Sequence, residues 1–118
     1  MERIFFSTNE FDRQWKSMGL NDENQRLLEN EILNNPQAGI VMRGTGGLRK
    51  MRFAIEGKGK SGGSRVLYVD FVKFERIYLI TAYPKSEKEN ITPTERELFK
   101  AIIEQTKREL GEVGEINE

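Results

Sequence analysis

The spacing of hydrophobic residues changes near residue 36, and it divides the chain into a helical first part and a second part made mostly of strands. In the first part, apolar residues recur at intervals of three and four, which is the spacing of one helix face. They are Phe11, Trp15 and Met18 in a first helix, and Leu28 and Ile32 in a second. The second helix is predicted over residues 22–34, because Pro36 disfavours helical backbone just before it. A short apolar run at residues 3–6 predicts a strand ahead of this helical hairpin.

Alternation of apolar and charged residues is the main pattern of the second part, as expected for strands with one buried face. It is clearest over residues 48–55, where Met51 and Phe53 take one face and Lys50 and Arg52 take the other. Further strands are predicted at 40–42, 65–71 and 76–83, and the short links between them favour an antiparallel meander. A capping box, Thr92-Pro93-Thr94-Glu95, predicts the start of a last helix.

These elements predict an α+β fold of order βααββββα: a small antiparallel sheet with an N-terminal helical hairpin and a C-terminal helix. One domain covering residues 1–118 is expected from the length. The last residues, from about 111 to 118, are acidic and lack periodicity, so we predict a frayed tail there.

Composition excludes several kinds of chemistry. The chain contains no cysteine and no histidine, which removes disulfides, thiolate metal sites and every mechanism built on imidazole. No apolar run approaches the length of a membrane span, and the N-terminus does not have the pattern of a signal peptide. We therefore expect a cytoplasmic protein with no membrane contact.

Positive charge is concentrated between Arg43 and Arg65. The whole chain has a net charge of zero, yet this stretch carries seven Lys or Arg against one acid, Glu56, a net charge of plus six. Cations beside a glycine-rich backbone suit a phosphate chain, and aromatic residues nearby can stack on bases. We expect an RNA-binding surface, although a single tyrosine in a strand is more typical of a core position. Its predicted members are Arg43, Arg49, Lys58, Lys60 and Tyr68.

Two sequence patterns in the same stretch are typical of nucleotide-binding loops. AIEGKGKS, at residues 54–61, is similar to a Walker A loop, and Gly57, Gly59 and Gly62 form a G-x-G-x-x-G pattern. Both kinds of loop must open a helix whose N-terminus binds phosphate. Here a strand is predicted instead, so nucleotide binding is the least favoured alternative.

Four runs in the second part of the chain resemble one known family: GTGGLRKMRFA, GKGK, GGSRVLYV and LITAYPKSEKENIT. On these residues the chain resembles toxins of the RelE superfamily, in particular the HigB-like branch, over nearly its whole length. The resemblance implies a RelE-like fold with the helices packed on one side of the sheet. It also implies a ribosome-dependent endoribonuclease that cuts mRNA in the decoding site, docks on ribosomal RNA and has a cognate antitoxin with a helix-turn-helix.

The resemblance also assigns residues. Family members use two basic residues, two apart, on a central strand, and Lys50 and Arg52 match this pair. Arg65 matches an arginine just before an apolar-tyrosine strand, and Lys85 matches a cation after the last strand. The tyrosine that family members carry near the C-terminal end is replaced by Ile91. The lysines of the GKGK run are expected to substitute for it in part.

The expected reaction needs no metal or cofactor, because the 2′-hydroxyl of the RNA itself attacks the adjacent phosphorus. Arg65, helped by Arg52, would stabilise the phosphorane, since a guanidinium stays charged and holds phosphate oxygens in a bidentate fork. Lys50 is the first candidate for the base and Tyr83 the second. Lys85 would protonate the leaving oxygen or orient the scissile phosphate. Two alternatives use the same residues: a non-catalytic RNA-binding module, and a degenerate toxin that keeps only antitoxin binding.

Overall fold

The computed structural model describes residues 2–55 and 63–117, with the side chains of 112–117 left aside. Within this part, the elements are β1 (Ile4–Ser7), α1 (Asn9–Ser17), α2 (Asp22–Asn34), β2 (Ile40–Val41), β3 (Arg49–Phe53), β4 (Ser64–Phe71), β5 (Arg76–Pro84) and α3 (Pro93–Asn117). Three helices and a sheet confirm the predicted α+β class. The helical backbone of α3 extends to Asn117, into the segment for which a frayed tail was predicted.

The five strands form one sheet in the order β1-β5-β4-β3-β2. The strands from β2 to β5 make the predicted antiparallel meander. In contrast, β1 pairs in parallel with β5 at the opposite edge. The pairing of β4 with β5 shifts its register between Leu67 and Tyr68.

The helical hairpin packs on one face of the sheet, which we call the hairpin face. Phe11 and Trp15 of α1 and Leu28 of α2 belong to the same buried cluster as Val66 and Tyr68 of β4. The sequence places these helix residues on single faces, and the structure buries those faces against the sheet. Burial of apolar surface of this kind is the main stabilising contribution in a small domain.

The last helix packs on the other face, which we call the α3 face. Phe99 and Ile103 of α3 cluster with Leu67 and Val69 of β4. Alternate residues of β4 belong to the two clusters, so the helical hairpin and α3 lie on opposite sides of the sheet. The expectation that all helices pack on one side is therefore wrong. Strands with both faces covered must be apolar on both faces, as residues 66–69 of β4 are.

Candidate active site

Lys50, Arg52 and Arg65 lie on the α3 face of two neighbouring strands, and we call this group the cationic face. Arg52 on β3 pairs directly with Arg65 on β4, and Lys50 pairs with Leu67. Residues opposite one another in an antiparallel pair project from the same face, with Cβ atoms about 5 Å apart. The three cations singled out from the sequence therefore share one surface.

The side chains of the cationic face differ in their access to solvent. Arg52 is exposed and Lys50 is half-buried, whereas Arg65 is only 6% exposed. Nη1 of Arg65 donates a hydrogen bond to the Ser64 carbonyl oxygen at 3.4 Å. Arg65 thus forms the floor of the surface and Arg52 its rim. Two guanidinium groups arranged in this way suit an anion with several oxygen atoms.

The segment between β5 and α3, residues 85–92, contacts the cationic face, and we call it the strap. The Tyr83 hydroxyl donates a hydrogen bond to the Glu89 carbonyl oxygen at 3.3 Å. Nζ of Lys50 donates one to Oδ1 of Asn90 at 2.7 Å. Ile91, the next residue, is 6% exposed and belongs to the core cluster of the α3 face. Three consecutive residues of the strap are therefore held by the sheet and the core.

Tyr83 is buried, with 3% of its surface exposed. Burial raises the pKa of Tyr83, while the nearby charge of Arg65 acts to lower it and the carboxylates of Glu95 and Glu89 add to the rise. Nζ of Lys88 lies 5.0 Å from the centre of its ring. A neutral phenol that donates to a carbonyl accepts a proton poorly. Tyr83 is therefore better suited to holding the strap than to acting as the base.

Lys85 lies at the same end of the sheet as Arg65. Its backbone N–H donates to the Gly63 carbonyl oxygen at 3.1 Å, one residue beyond the Ser64–Pro84 pair that joins β4 to β5. The residue is exposed. Its side chain can therefore reach a ligand bound at the rim of the cationic face.

Two residues predicted to bind RNA are engaged elsewhere. Tyr68 is completely buried, and its hydroxyl donates to the Pro36 carbonyl oxygen at 2.8 Å and accepts from the Gly39 N–H at 3.1 Å. Nη1 of Arg49 donates to the carbonyl oxygens of Gln37 and Gly39 at 3.0 and 2.8 Å. Both side chains hold the turn between α2 and β2. Tyr68 therefore has no exposed surface to offer RNA, whereas Arg49 is half-buried and its guanidinium is bonded at this turn.

The remaining predicted RNA-binding residues are on loops. Arg43 is exposed in the loop between β2 and β3, and its carbonyl oxygen accepts a hydrogen bond from Nη1 of Arg96 at 2.8 Å. Nζ of Lys107 donates to the Gly46 carbonyl oxygen of the same loop, also at 2.8 Å. This loop is thereby attached to α3. Lys58 and Lys60 lie outside the described residues.

The residues of the nucleotide-binding patterns lead into a strand. The described backbone resumes at Gly63, and β4 begins at Ser64, so no helix N-terminus follows the run AIEGKGKS. This agrees with the interpretation that the run is not a P-loop. Among residues 2–55 and 63–111, no acidic cluster has the makeup of a metal site. No helix in the part of the chain that the structure describes is long and apolar enough to cross a membrane.

Sequence reasoning missed two residues that contact the site, Asn90 and Lys88. Both lie in a strap without periodicity, so no pattern predicts where their side chains point. Alternation did contain a signal against Arg49, because it puts Arg49 on the same side as Met51 and Phe53. The two clusters bear this out, since Phe53 is buried in the core of the hairpin face and Met51 packs against it.

Two solved structures similar to this one are of the Escherichia coli toxin RelE, in a variant with two arginines replaced by alanine. The free variant aligns with a TM-score of 0.53 and 17% identity, over 75% of this chain and 90% of that chain. The variant in complex with a peptide of the antitoxin RelBc aligns with a TM-score of 0.51 and 16% identity, over 79% and 98% of the two chains. At these identities the likeness establishes the fold.

A family model described as the RelE toxin of the RelE/RelB toxin–antitoxin system matches residues 2–112. This match covers both strands of the cationic face, the strap and most of α3. The chain therefore belongs to the RelE toxin family.

Proposed function

We propose that this protein is a metal-independent endoribonuclease that cleaves mRNA in the decoding site of the ribosome and thereby inhibits translation. The observation that carries the proposal is the direct pairing of Arg52 with Arg65 on the face that also bears Lys50. Membership of the RelE toxin family supports it. Two guanidinium groups beside an amine can supply charge stabilisation and a proton acceptor at one phosphate.

The reaction we propose begins with attack by the ribose 2′-oxygen on the adjacent phosphorus. Lys50, in its amine form, takes the proton of the 2′-hydroxyl as the new oxygen–phosphorus bond forms. Arg65 and Arg52 bind the equatorial oxygens of the phosphorane, where negative charge develops. The bond to the 5′ oxygen then breaks, and Lys85 protonates that oxygen. The products are a 2′,3′-cyclic phosphate and a 5′-hydroxyl.

The ribosome has a physical role in this proposal. Without histidine, the side chains offer limited acid–base catalysis at neutral pH, so much of the rate must come from alignment of the substrate. An mRNA held in the decoding site is already restricted in conformation. Exposed cations such as Arg43 and Arg52 are suited to docking on ribosomal RNA, with an affinity that falls steeply with salt.

A cognate antitoxin is the second partner we propose. One E. coli RelE structure contains an antitoxin peptide, and this chain has the same fold. The runs that resemble the HigB-like branch favour an antitoxin with a helix-turn-helix. Ribosomal action further implies that the protein works in the cytoplasm.

Mapping of the cut sites in a translated message tests this proposal. We expect primer extension to show stops within the codon in the decoding site when purified protein is added to translating ribosomes. The same message without ribosomes should stay intact. Cleavage should persist when trace transition metals are chelated at a Mg²⁺ concentration that keeps the ribosome assembled, and it should be lost when the cleaved nucleotide carries a 2′-deoxyribose.

Two results would contradict the proposal. Equal cutting of free and ribosome-bound message would remove the role of the ribosome. Unchanged cutting at a 2′-deoxyribose would exclude attack by the 2′-oxygen. A protein that binds an antitoxin but does not cut mRNA would favour the degenerate-toxin alternative. Its motive is Ile91, which is buried and stands where the resemblance places the family's tyrosine.

A further inference from the structure

Asn90 is the strap residue that contacts the cationic face through its side chain. Its Oδ1 accepts a hydrogen bond from Nζ of Lys50 at 2.7 Å, a short distance for a bond between an ammonium group and an amide oxygen. The two residues are far apart in the sequence and come from different elements, a central strand and the strap. A contact of this kind fixes where the end of a flexible lysine side chain lies.

The neighbours of Asn90 hold its backbone in place. The carbonyl oxygen of Glu89 accepts from the buried Tyr83 hydroxyl, and the side chain of Ile91 is buried in the core. The capping box follows at once: the Thr92 N–H donates to Oε1 of Glu95 at 2.8 Å. Asn90 itself is exposed, so its amide does not fill a core position. Its side chain can be changed with little effect on packing.

We propose that Asn90 is a positioning residue for Lys50, an inference that rests on the proposed function. By accepting one hydrogen from Nζ, the amide oxygen holds the amine at the surface that also carries Arg52 and Arg65. The rotatable bonds of the lysine stem are thereby restrained before substrate binds. This explains how a lysine can do the work of a base without the tyrosine that Ile91 replaces.

The acceptor is an amide and not a carboxylate, and this difference matters for a base. An amide oxygen bonds both the ammonium and the amine form of Lys50, whereas a carboxylate favours the ammonium form. Charged and titratable groups near Lys50 come from every element around it. They are Arg52 on β3 and Arg65 on β4, which pair with each other, Tyr83 on β5, which pairs with Arg65, Glu89 on the strap, whose carbonyl oxygen Tyr83 bonds, and Lys88 on the strap, which is bonded to Glu95 of α3.

Replacement of Asn90 by aspartate tests the proposal, because it keeps the shape and adds a charge. We expect the rising limb of the cleavage rate against pH to move to higher pH by about one unit, with recovery of the wild-type rate at high pH. Asn90→Ala should lower the rate at all pH values, by roughly tenfold, without unfolding the protein. Ser86→Asp is the matched control: it adds the same charge at an exposed strap residue next to Lys85 and should leave the rising limb unmoved.

The proposal is overturned if the profile of Asn90→Asp coincides with that of the wild type, or if Ser86→Asp moves it equally. A second measurement separates this inference from the proposed function. In a ¹³C NMR titration of the lysine side chains, assigned with Lys50→Arg, Asn90→Asp should move the titration of Lys50 to higher pH and Ser86→Asp should not. This titration can be measured whether or not the protein cleaves mRNA. If Asn90→Asp does not shift it, the role of Asn90 is contradicted while the proposed function is unaffected.

Discussion

At the scale of single residues, the distribution of roles depends on which groups can change protonation state. Arg52 and Arg65 remain charged at any accessible pH, so they can stabilise charge but cannot accept a proton. Tyr83 is buried, its pKa is raised, and its hydroxyl already donates to the Glu89 carbonyl oxygen. Lys50 is half-buried at the same surface and remains the best-placed base.

Two substitutions distinguish Lys50 from Tyr83. Tyr83→Phe removes one hydrogen bond, and we expect it to cost about 1 kcal/mol of stability while cleavage stays within severalfold of the wild type. Lys50→Met keeps most of the side-chain volume, and we expect cleavage to fall by about 10²-fold or more. Single-turnover rates on ribosome-bound message measure both effects. The opposite ranking would assign the base to Tyr83.

The sequence was informative about residue faces and uninformative about residue partners. Alternation predicted that Lys50 and Arg52 project together, because the side-chain period of a strand is two. It could not predict that Tyr68 meets Gly39, or that Lys50 meets Asn90. Those contacts join segments far apart in the chain, and only the folded arrangement brings them together.

At the scale of elements, the start of α3 connects the strap to the sheet. The predicted capping box is present: the Glu95 N–H donates to Oγ1 of Thr92 at 3.1 Å, and the Glu95 carboxylate accepts from the Thr92 N–H and from Lys88. Burial acts to raise the pKa of Glu95, but the hydrogen bonds from Thr92 and Lys88 outweigh it and the pKa is lowered. Lys88 also lies over the Tyr83 ring, so this end of α3 is tied to β5.

Glu95→Gln tests the connection that Glu95 makes between the start of α3 and Lys88 of the strap. Gln still accepts the Thr92 hydrogen bond but loses the ion pair with Lys88, so we expect a loss of about 0.5 kcal/mol at neutral pH for this partly exposed pair. Because the folded-state pKa of Glu95 is lowered, its ionised form contributes stability above the unfolded pKa, and this is lost as the pH falls through the folded value. Urea unfolding should therefore show a difference between variant and wild type at neutral pH that narrows as the pH falls below the ordinary pKa of a glutamate. A constant difference would contradict this explanation.

Elements defined by local patterns were predicted well, and those defined by distant pairing were not. The bounds of α2 and the meander from β2 to β5 follow from periodicity and short links. The parallel pairing of β1 with β5 joins the first strand to the last, and no local signal specifies it. The side of the sheet chosen by α3 was also unpredictable, because both faces of β4 are apolar at residues 66–69 and either could be covered by a helix.

At the scale of the whole molecule, a chain with zero net charge brings three of its cations, Lys50, Arg52 and Arg65, onto one face of a small sheet. The helical hairpin occupies the other face, while α3 and the strap border the cationic face. A charge distribution of this kind gives attraction to a phosphate backbone without general affinity for anions. Membership of the RelE toxin family accounts for the fold, and the pairing of β3 with β4 brings Arg52 and Arg65 together.

The measurement that tests this account most directly is the single-turnover rate of mRNA cleavage on the ribosome for two variants of the cationic face and one matched control. Arg52→Ala and Arg65→Ala should each lower the rate by about 10²-fold or more while circular dichroism shows a folded protein. Arg26→Ala removes an equal charge from an exposed position on α2 and should leave the rate within about twofold of the wild type. Near-normal cleavage by folded Arg52→Ala and Arg65→Ala, or an equal loss in Arg26→Ala, would contradict the assignment of catalysis to this face.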